Sequence, residues 1–324
     1  MSEREVVLSA EHVSMFFPVR GSLGQVTGHV QAVCDVSLSL KRHATYGLVG
    51  ESGCGKSTLG RTLNRLLEPT DGKITLLGQD ITHLSDRDML PLRGQIQMAF
   101  QDPYTSLNPR IRVGDALMEV LKIHHMKDRD MRMQAAFDIL DRVGLHKEHF
   151  YRFPHEFSGG QRQRIGLARA LILNPKIVIC DEPVSALDVS IQSQIINLLC
   201  DLQRQRDLSY LFISHDMSVI RYISDEVGVM YLGHLVEEGP VEEIFAHPAH
   251  PYTNMLLSAV PSMDPHAEKK RMRIQGELPS PLNPPTGCVF HTRCPYAQKS
   301  CSEQVPGMQE ISPGHICACH CMKR

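Results

Sequence analysis

The sequence predicts an α/β fold in which a mostly parallel sheet is covered by helices on both faces. An N-terminal antiparallel β region precedes it, a helical block is inserted into it, and a small cysteine-rich extension follows. Three observations carry this. Short apolar runs alternate with helical patterns through the second half of the chain: Ile177–Cys180, Ile191–Arg204, Tyr210–Ile213, Met217–Ile223 and Val227–Tyr231. Such alternation implies a parallel sheet. A strand-like run, Thr45–Val49, leads directly into Gly-Glu-Ser-Gly-Cys-Gly-Lys-Ser-Thr at 50–58, and Leu59, Leu63, Leu66 and Leu67 then recur at helical spacing. Of ten cysteines, six crowd into the last 37 residues.

At the N-terminus, Val33–Leu40 alternates, with Val36, Leu38 and Leu40 apolar and Asp35, Ser37 and Ser39 polar, as in a strand with one buried face. Val6–Phe17 and Ile74–Leu77 have similar character, so a small, partly antiparallel sheet is expected there. Leu107–Glu156 turns helical and polar, with helices expected at Ala116–Ile123 and Arg129–Val143. Beyond Pro240 the chain becomes proline-rich: His247–Pro251 reads as a stiff connector, and Leu278–Gly287 is close to polyproline. Domains are expected at 1–240 and 241–324, with the helical subdomain at about 103–165.

Composition narrows the function classes. At 324 residues the chain has room for about two domains. A 42% hydrophobic content excludes global disorder. Thirty-four basic against 36 acidic side chains, a net charge of -2, argues against a dedicated nucleic-acid binder. No apolar run approaches the ~20 residues that span a bilayer. The opening Met-Ser-Glu-Arg-Glu lacks the pattern of a secretory signal, so a cytosolic location is expected.

Gly50-x4-Gly55-Lys56-Ser57 fits a phosphate-binding loop. Glycines let backbone N–H groups curl around an anion, and the following helix points its positive end at the same place. Lys56 is expected to reach the β- and γ-phosphates, Ser57 to ligate Mg²⁺, and Thr58 to contact the α-phosphate. Ile177-Val-Ile-Cys-Asp-Glu182 is a buried strand ending in two carboxylates. Asp181 would hold magnesium and Glu182 would act as general base on water. Read alone, Asp-Glu after an apolar strand is equally an N-terminal helix cap. In a reducing cytosol the six crowded tail thiols suggest metal ligation more than disulfides, with reduced surface thiols as the bland alternative. Four thiolates suit either zinc or an iron–sulfur cluster, and the spacing lacks the paired C-x₂-C knuckles of zinc ribbons.

Phe157-Ser-Gly-Gly-Gln-Arg-Gln-Arg164, which begins its signature serine 23 residues before Asp181, resembles the signature motif of ABC-transporter ATPases. Further matches accompany it: Gln101 in Phe100-Gln-Asp-Pro103 with the Q-loop, Ser185-Ala-Leu-Asp188 with the D-loop, His215 in Ile213-Ser-His-Asp216 with the switch histidine, and Phe17 with the adenine-stacking aromatic. The resemblance implies ATP, Mg²⁺ and a head-to-tail pair of cassettes. In such a pair Gly50–Thr58 (Gly50, Glu51, Ser52, Gly53, Cys54, Gly55, Lys56, Ser57, Thr58), Gln101, Asp181, Glu182 and His215 act on one nucleotide, and Ser158, Gly159, Gly160, Gln161 and Asp188 face that of the other subunit. Gln101 joins Ser57 and Asp181 at magnesium. Bland alternatives stand beside these roles: Ser158 as a helix cap, His215 as a buried structural histidine, Phe17 as core.

The tail phrases His250-Pro-Tyr-Thr253, Gly276–Pro285 and Gly287-Cys-Val-Phe-His-Thr-Arg-Cys-Pro295 are similar to the oligopeptide, dipeptide and nickel importer ATPases of bacteria, as is Tyr104-Thr-Ser-Leu-Asn-Pro109. More narrowly they are similar to the F-type ATPases of dipeptide permeases. That resemblance implies a sister D-type ATPase in a heterodimer, two transmembrane permease subunits, an extracytoplasmic peptide-binding protein, and a place on the cytoplasmic face of the inner membrane, touching the membrane only through the permeases. It also implies a [4Fe–4S] cluster on Cys288, Cys294, Cys301 and Cys319, ahead of zinc, although Cys317 and Cys321 depart from the pattern. A DNA-repair or translation ATPase fits less well, because neither a coiled coil nor a second cassette interrupts the chain. An iron–sulfur redox protein leaves Glu182, Ser158 and His215 unexplained.

Overall fold

The computed structural model describes residues 4–22, 24–102, 107–185, 187–260 and 276–321. Pro103–Ser106 and Ala186, from three of the quoted motifs, lie outside the described residues. The chain forms two compact units: Val6–Thr82 with Ser214–Arg324, the phosphate-loop unit, and His83–Ile213 with Met1–Glu5, the helical unit.

In the phosphate-loop unit, β1 (Val6–Arg20) and β2 (Val26–Lys41) pair antiparallel. The alternation read in β2 is the observed one: Val36, Leu38 and Leu40 are buried, and Asp35 and Ser37 are exposed. β3 (Thr45–Val49) is buried throughout and feeds α1 (Lys56–Leu63). This helix stops short of the predicted Leu66 and Leu67. Arg65 takes a left-handed backbone (φ 54°), its N–H donates to Thr62 O, and the Leu66 N–H donates to Arg61 O. That is a Schellman stop with arginine where glycine is usual. The Arg65 guanidinium donates to Ile81 O at 2.9 Å, and Leu66 is left 44% exposed. β4 (Asp71–Leu76) and the short β5 (Gln79–Asp80) complete an antiparallel sheet of order β2-β1-β4-β5.

The helical unit begins with α2 (Asp86–Arg93), capped by the Ser85 hydroxyl, and β6 (Ile96–Ala99). Two helices follow close to where periodicity places them, α3 (Val113–Ile123) and α4 (Arg129–Arg142). Val113, Leu117 and Leu121, four apart, form the buried stripe of α3, as an amphipathic helix requires. The Asp128 carboxylate accepts from the Asp130 and Met131 N–H groups and so starts α4. α5 (Gly159–Leu171), β7 (Ile177–Asp181), α6 (Val189–Arg206) and β8 (Ser209–Ser214) then alternate as expected. β6, β7 and β8 are parallel, with Cys180 beside Phe212 and Asp181 beside Ile213. Their near-continuous burial is the pattern of strands covered on both faces.

The chain returns to the phosphate-loop unit with α7 (Met217–Ile223) and β9 (Glu226–Tyr231), which runs parallel to β3. β10 (His234–Pro240), α8 (Val241–Ala246) and α9 (Pro251–Ala259) follow. The expected connector proves to be a helix start: Pro251 takes the first helical position, where its missing N–H costs nothing, and His250 Nδ1 accepts from the Tyr252 N–H. The tail adds α10 (Lys299–Glu303), β11 (Gln309–Ser312) and β12 (His315–Cys317). β12 pairs antiparallel with β10, giving the order β11-β12-β10-β9-β3. The cysteine-rich segment is therefore built into a sheet rather than appended to one. Among the described residues no helix is long and apolar enough to cross a membrane.

Burial pushes the half-buried carboxyl of Glu238 on β10 up to about 7, with Glu226 adding to the rise and Tyr46 and Lys41 opposing it. A carboxyl whose folded pKa lies above its unfolded value binds more protons when folded, so it costs stability as pH rises from about 4.5 to about 7. Glu238→Gln is expected to raise the melting temperature near pH 8 and to leave it unchanged near pH 4.5. An equal effect at both pH values would contradict this.

Candidate functional site

The phosphate loop joins β3 to α1. Gly55 has φ 107°, and a Cβ there would sit 2.1 Å from Ala32 O; one on Gly50 would sit 2.1 Å from Met230 O. Only glycine fits either position. Lys56 is 4% exposed, and its ammonium donates to Gly50 O at 2.7 Å and to Glu51 O at 2.9 Å. The charge is thus aimed along the inside of the loop, beneath the N-terminal N–H groups of α1 that an anion would meet. Ser52 and Gly53 are exposed at the loop's tip, and Ser57 and Thr58 are half-buried on the first turn of α1. Cys54 is buried under the loop, and burial raises its thiol pKa, with Lys56 opposing the shift.

Glu51 behaves differently from its neighbours. Its N–H donates to the Tyr252 hydroxyl oxygen at 2.8 Å, and its carboxylate accepts two bonds from Arg293, at 2.8 and 3.1 Å. Its N–H and its carboxylate are thus both engaged by residues of the C-terminal part of the chain. Nothing in the motif's spacing pointed to Arg293.

Phe17 is half-buried on β1 rather than a core residue. His215 is exposed at the end of β8, which removes the reading of a buried structural histidine. The next residue, Asp216, caps α7 by accepting from the Ser218 N–H.

In the helical unit the carboxylate pair stands at the end of β7. Asp181 is 1% exposed. Glu182 leaves the strand with φ 45°, a left-handed conformation unusual for a glutamate. Such backbone strain costs on the order of 1–3 kcal/mol and concentrates at functional sites. The conformation is held by its own N–H donating to Ile213 O at 3.1 Å and by Ser185, whose N–H and hydroxyl both donate to Glu182 O. The Gln101 side chain donates from Nε2 to Glu182 Oε2 at 3.0 Å. The Q-loop glutamine and the candidate base, 81 positions apart, thus share one hydrogen bond.

The signature serine does cap a helix. Ser158 Oγ accepts from the Gln161 N–H at 3.4 Å, and Gln161 Oε1 accepts from the Ser158 N–H at 3.1 Å, a reciprocal capping box at the start of α5. An accepting hydroxyl keeps its own proton to donate, so the cap leaves Ser158 able to bond an anion. Gly160 is buried against α6, where a Cβ would lie 2.5 Å from Ile191 Cγ2. Asp188 is exposed at the start of α6.

The four expected cluster thiols lie close enough to act on one another. Burial raises the pKa of Cys288 to about 11, with Cys301, Cys319 and Cys294 adding to the rise. It also raises those of Cys294 and Cys319, each acted on by Cys301. Cys321 Sγ stands 3.9 Å from Cys301 Sγ. Cys317 is fully buried on β12, opposite Glu237. Among the described residues no group of three or more His, Cys, Asp or Glu side chains is arranged for a single metal ion. A single zinc would draw four sulfurs to about 2.3 Å from one point.

Two family profiles match. Residues 33–185 match "ABC transporter", and residues 236–301 match "Oligopeptide/dipeptide transporter, C-terminal region". The chain is 54% identical over 323 residues to the oligopeptide transport ATP-binding protein AppF of Bacillus subtilis (strain 168), covering 98% of both chains. It is 48% identical to the di/tripeptide transport ATP-binding protein DppF of Pseudomonas aeruginosa (strain UCBPP-PA14), again over 98% of each. Among solved structures, the ATP-binding cassette MJ0796, in a dimeric post-hydrolysis state with ADP and Pi, is similar at TM-score 0.64 and 24% identity, over 72% of this chain and 98% of that one. CbiO1 of Clostridium perfringens, part of the transporter complex cbiONQ, is similar at TM-score 0.63 and 28% identity, over 76% and 92%.

Proposed function

The chain belongs to the ATP-binding subunits of the ABC oligopeptide and dipeptide transporters, and from that premise we propose how its residues power peptide import. It is an ABC-type ATPase that energises a peptide importer. The observation that supports the mechanistic reading is the Gln101–Glu182 hydrogen bond: on this reading it joins the general base to the loop that reports to a permease.

Gly50–Thr58 encloses the phosphates with backbone N–H groups, Lys56 pairs with the β- and γ-oxygens, and Phe17 stacks on the adenine. Ser57, Asp181 and Gln101 supply the hard oxygen donors that Mg²⁺ prefers; the ion supplies charge neutralisation at the phosphates. Glu182 takes the proton of the attacking water, and His215 and Gln101 orient it. Ser158, Gly159, Gly160, Gln161 and Asp188 close on the nucleotide of an apposed cassette, a sister D-type subunit. The partners are two permease subunits and an extracytoplasmic peptide-binding protein, and the site of action is the cytoplasmic face of the inner membrane. The modules run 1–240, with a helical part at about 103–165 that receives the permease, and 241–324.

Cys288, Cys294, Cys301 and Cys319 would hold a [4Fe–4S] cluster, whose contribution is cross-linking of the tail rather than electron transfer. Deprotonation of these thiols must accompany loading. Cys294→Ser is expected to abolish the brown absorbance and iron content of anaerobically purified protein. Wild-type protein carrying zinc and no iron would end the cluster assignment.

Reconstitution tests the function. Co-expressed with its permeases in lipid vesicles, the chain is expected to drive ATP-dependent uptake of a labelled dipeptide presented with the binding protein. Co-isolation with nucleic acid or ribosomes in place of permeases would refute the transport reading.

A further inference from the structure

The C-terminal part of the chain grips the phosphate loop at one residue. Arg293 lies 242 positions from Glu51, directly before Cys294, and forms a two-pronged pair with the Glu51 carboxylate at 2.8 and 3.1 Å. Its side chain is 6% exposed, that of Glu51 22%. Arg293 Nη1 also donates to the Tyr231 hydroxyl at 3.3 Å, and the guanidinium lies 5.8 Å from the centre of the Tyr231 ring. Phe290, fully buried, packs edge-on against Tyr231 at 5.1 Å and tilted against Tyr252 at 5.4 Å. Tyr252 in turn receives the Glu51 N–H. An arginine fork seated on buried aromatic rings has little freedom to leave its carboxylate.

The charge matters more than the contact. A carboxylate one residue into a phosphate loop repels a polyanionic ligand, and that repulsion is strong where water is scarce. We propose that Arg293 is a positioning residue of the nucleotide site: it cancels the charge of Glu51 and fixes the loop, so that the C-terminal tail sets the affinity for ATP. The inference rests on reading the loop as the nucleotide site.

The test measures equilibrium binding of MgATP to the full chain, together with its melting temperature without nucleotide. Arg293→Gln is expected to weaken binding about tenfold or more, because it leaves the carboxylate unpaired. The loss should shrink at high salt, which screens the repulsion. Arg293→Lys, keeping the charge without the fork, is expected to recover part of the loss. The double variant Glu51→Gln with Arg293→Gln removes both charges and is expected to bind within about threefold of wild type. Unchanged binding in Arg293→Gln overturns the proposal, as does failure of the double variant to recover, which would make Arg293 a packing residue only. Should Arg293→Gln not fold, Glu51→Gln alone decides: equal or tighter binding supports the proposal, weaker binding refutes it. Lys56→Ala separates the premise from the inference. If it too leaves binding unchanged, the reading of the loop fails; if it abolishes binding while the Arg293 variants do not alter it, only the role of Arg293 fails.

Discussion

Glu182→Gln is expected to bind MgATP as wild type does and to hydrolyse it roughly 10²–10⁴-fold more slowly, the usual cost of losing a general base. The substitution isolates chemistry from structure. The backbone bonds that hold Glu182 at φ 45°, to Ile213 O and from Ser185, do not involve its side chain. An amide of the same shape can still accept from Gln101 through its oxygen, so the linkage at 3.0 Å survives. What disappears is an acceptor for the proton of water. ATP binding without turnover should then favour the closed pair of cassettes, visible as an ATP-dependent shift to dimer in gel filtration. Single-turnover hydrolysis within about threefold of wild type would remove Glu182 from the mechanism.

The second large effect is structural. Glu237→Leu is expected to destabilise the phosphate-loop unit by about 3–5 kcal/mol. The Glu237 side chain is 0% exposed, yet it has three partners: Oε1 accepts from the Ala249 N–H at 2.7 Å and from His315 Nε2 at 2.8 Å, and Oε2 accepts from the His250 N–H at 3.0 Å. One carboxylate therefore joins β10, the turn into α9, and the tail strand β12. Burial holds the pKa of His250 down at about 4, with Glu237 opposing the shift, so its ring is neutral and Nδ1 is open to the Tyr252 N–H. Leucine would strand two backbone donors and the His315 ring in a dry interior. Chemical denaturation gives the stability change, and hydrogen exchange is expected to show early loss of protection at Cys317 and Ala318. A Glu237→Leu chain as stable as wild type would mean that this network contributes nothing.

Both residues show how unevenly the molecule could be read in advance. The parallel strands, α3, α4, α6 and the phosphate loop announce themselves through apolar periodicity and glycine spacing, because the forces that form them act between residues a few positions apart. The place of Glu182 after an apolar strand marks it as a candidate, but nothing local marks its left-handed backbone or its bond to Gln101. The helical rhythm of Leu66 and Leu67 overextends α1, whose stop comes from the left-handed turn at Arg65, a residue whose guanidinium reaches Ile81 O. Glu237 carries no signal at all: it sits in Leu-Val-Glu-Glu-Gly, where a buried carboxylate is indistinguishable from a solvated one.

The amino-acid order alone determined the fold class, the phosphate loop, the acidic strand end, the capped signature helix and the presence of a thiol-rich tail. All of these are local patterns, in which a few neighbouring side chains decide backbone conformation and the chemistry available. Only the tertiary structure decided that β12 joins the sheet through Glu237 and His315, that Cys321 lies beside Cys301, and that Arg293 reaches Glu51. Those are isolated contacts between residues 20 to 242 positions apart. They have no periodicity to betray them, and the contacts of Glu237 and Arg293 exist because burying a charged group obliges the fold to bring it a partner.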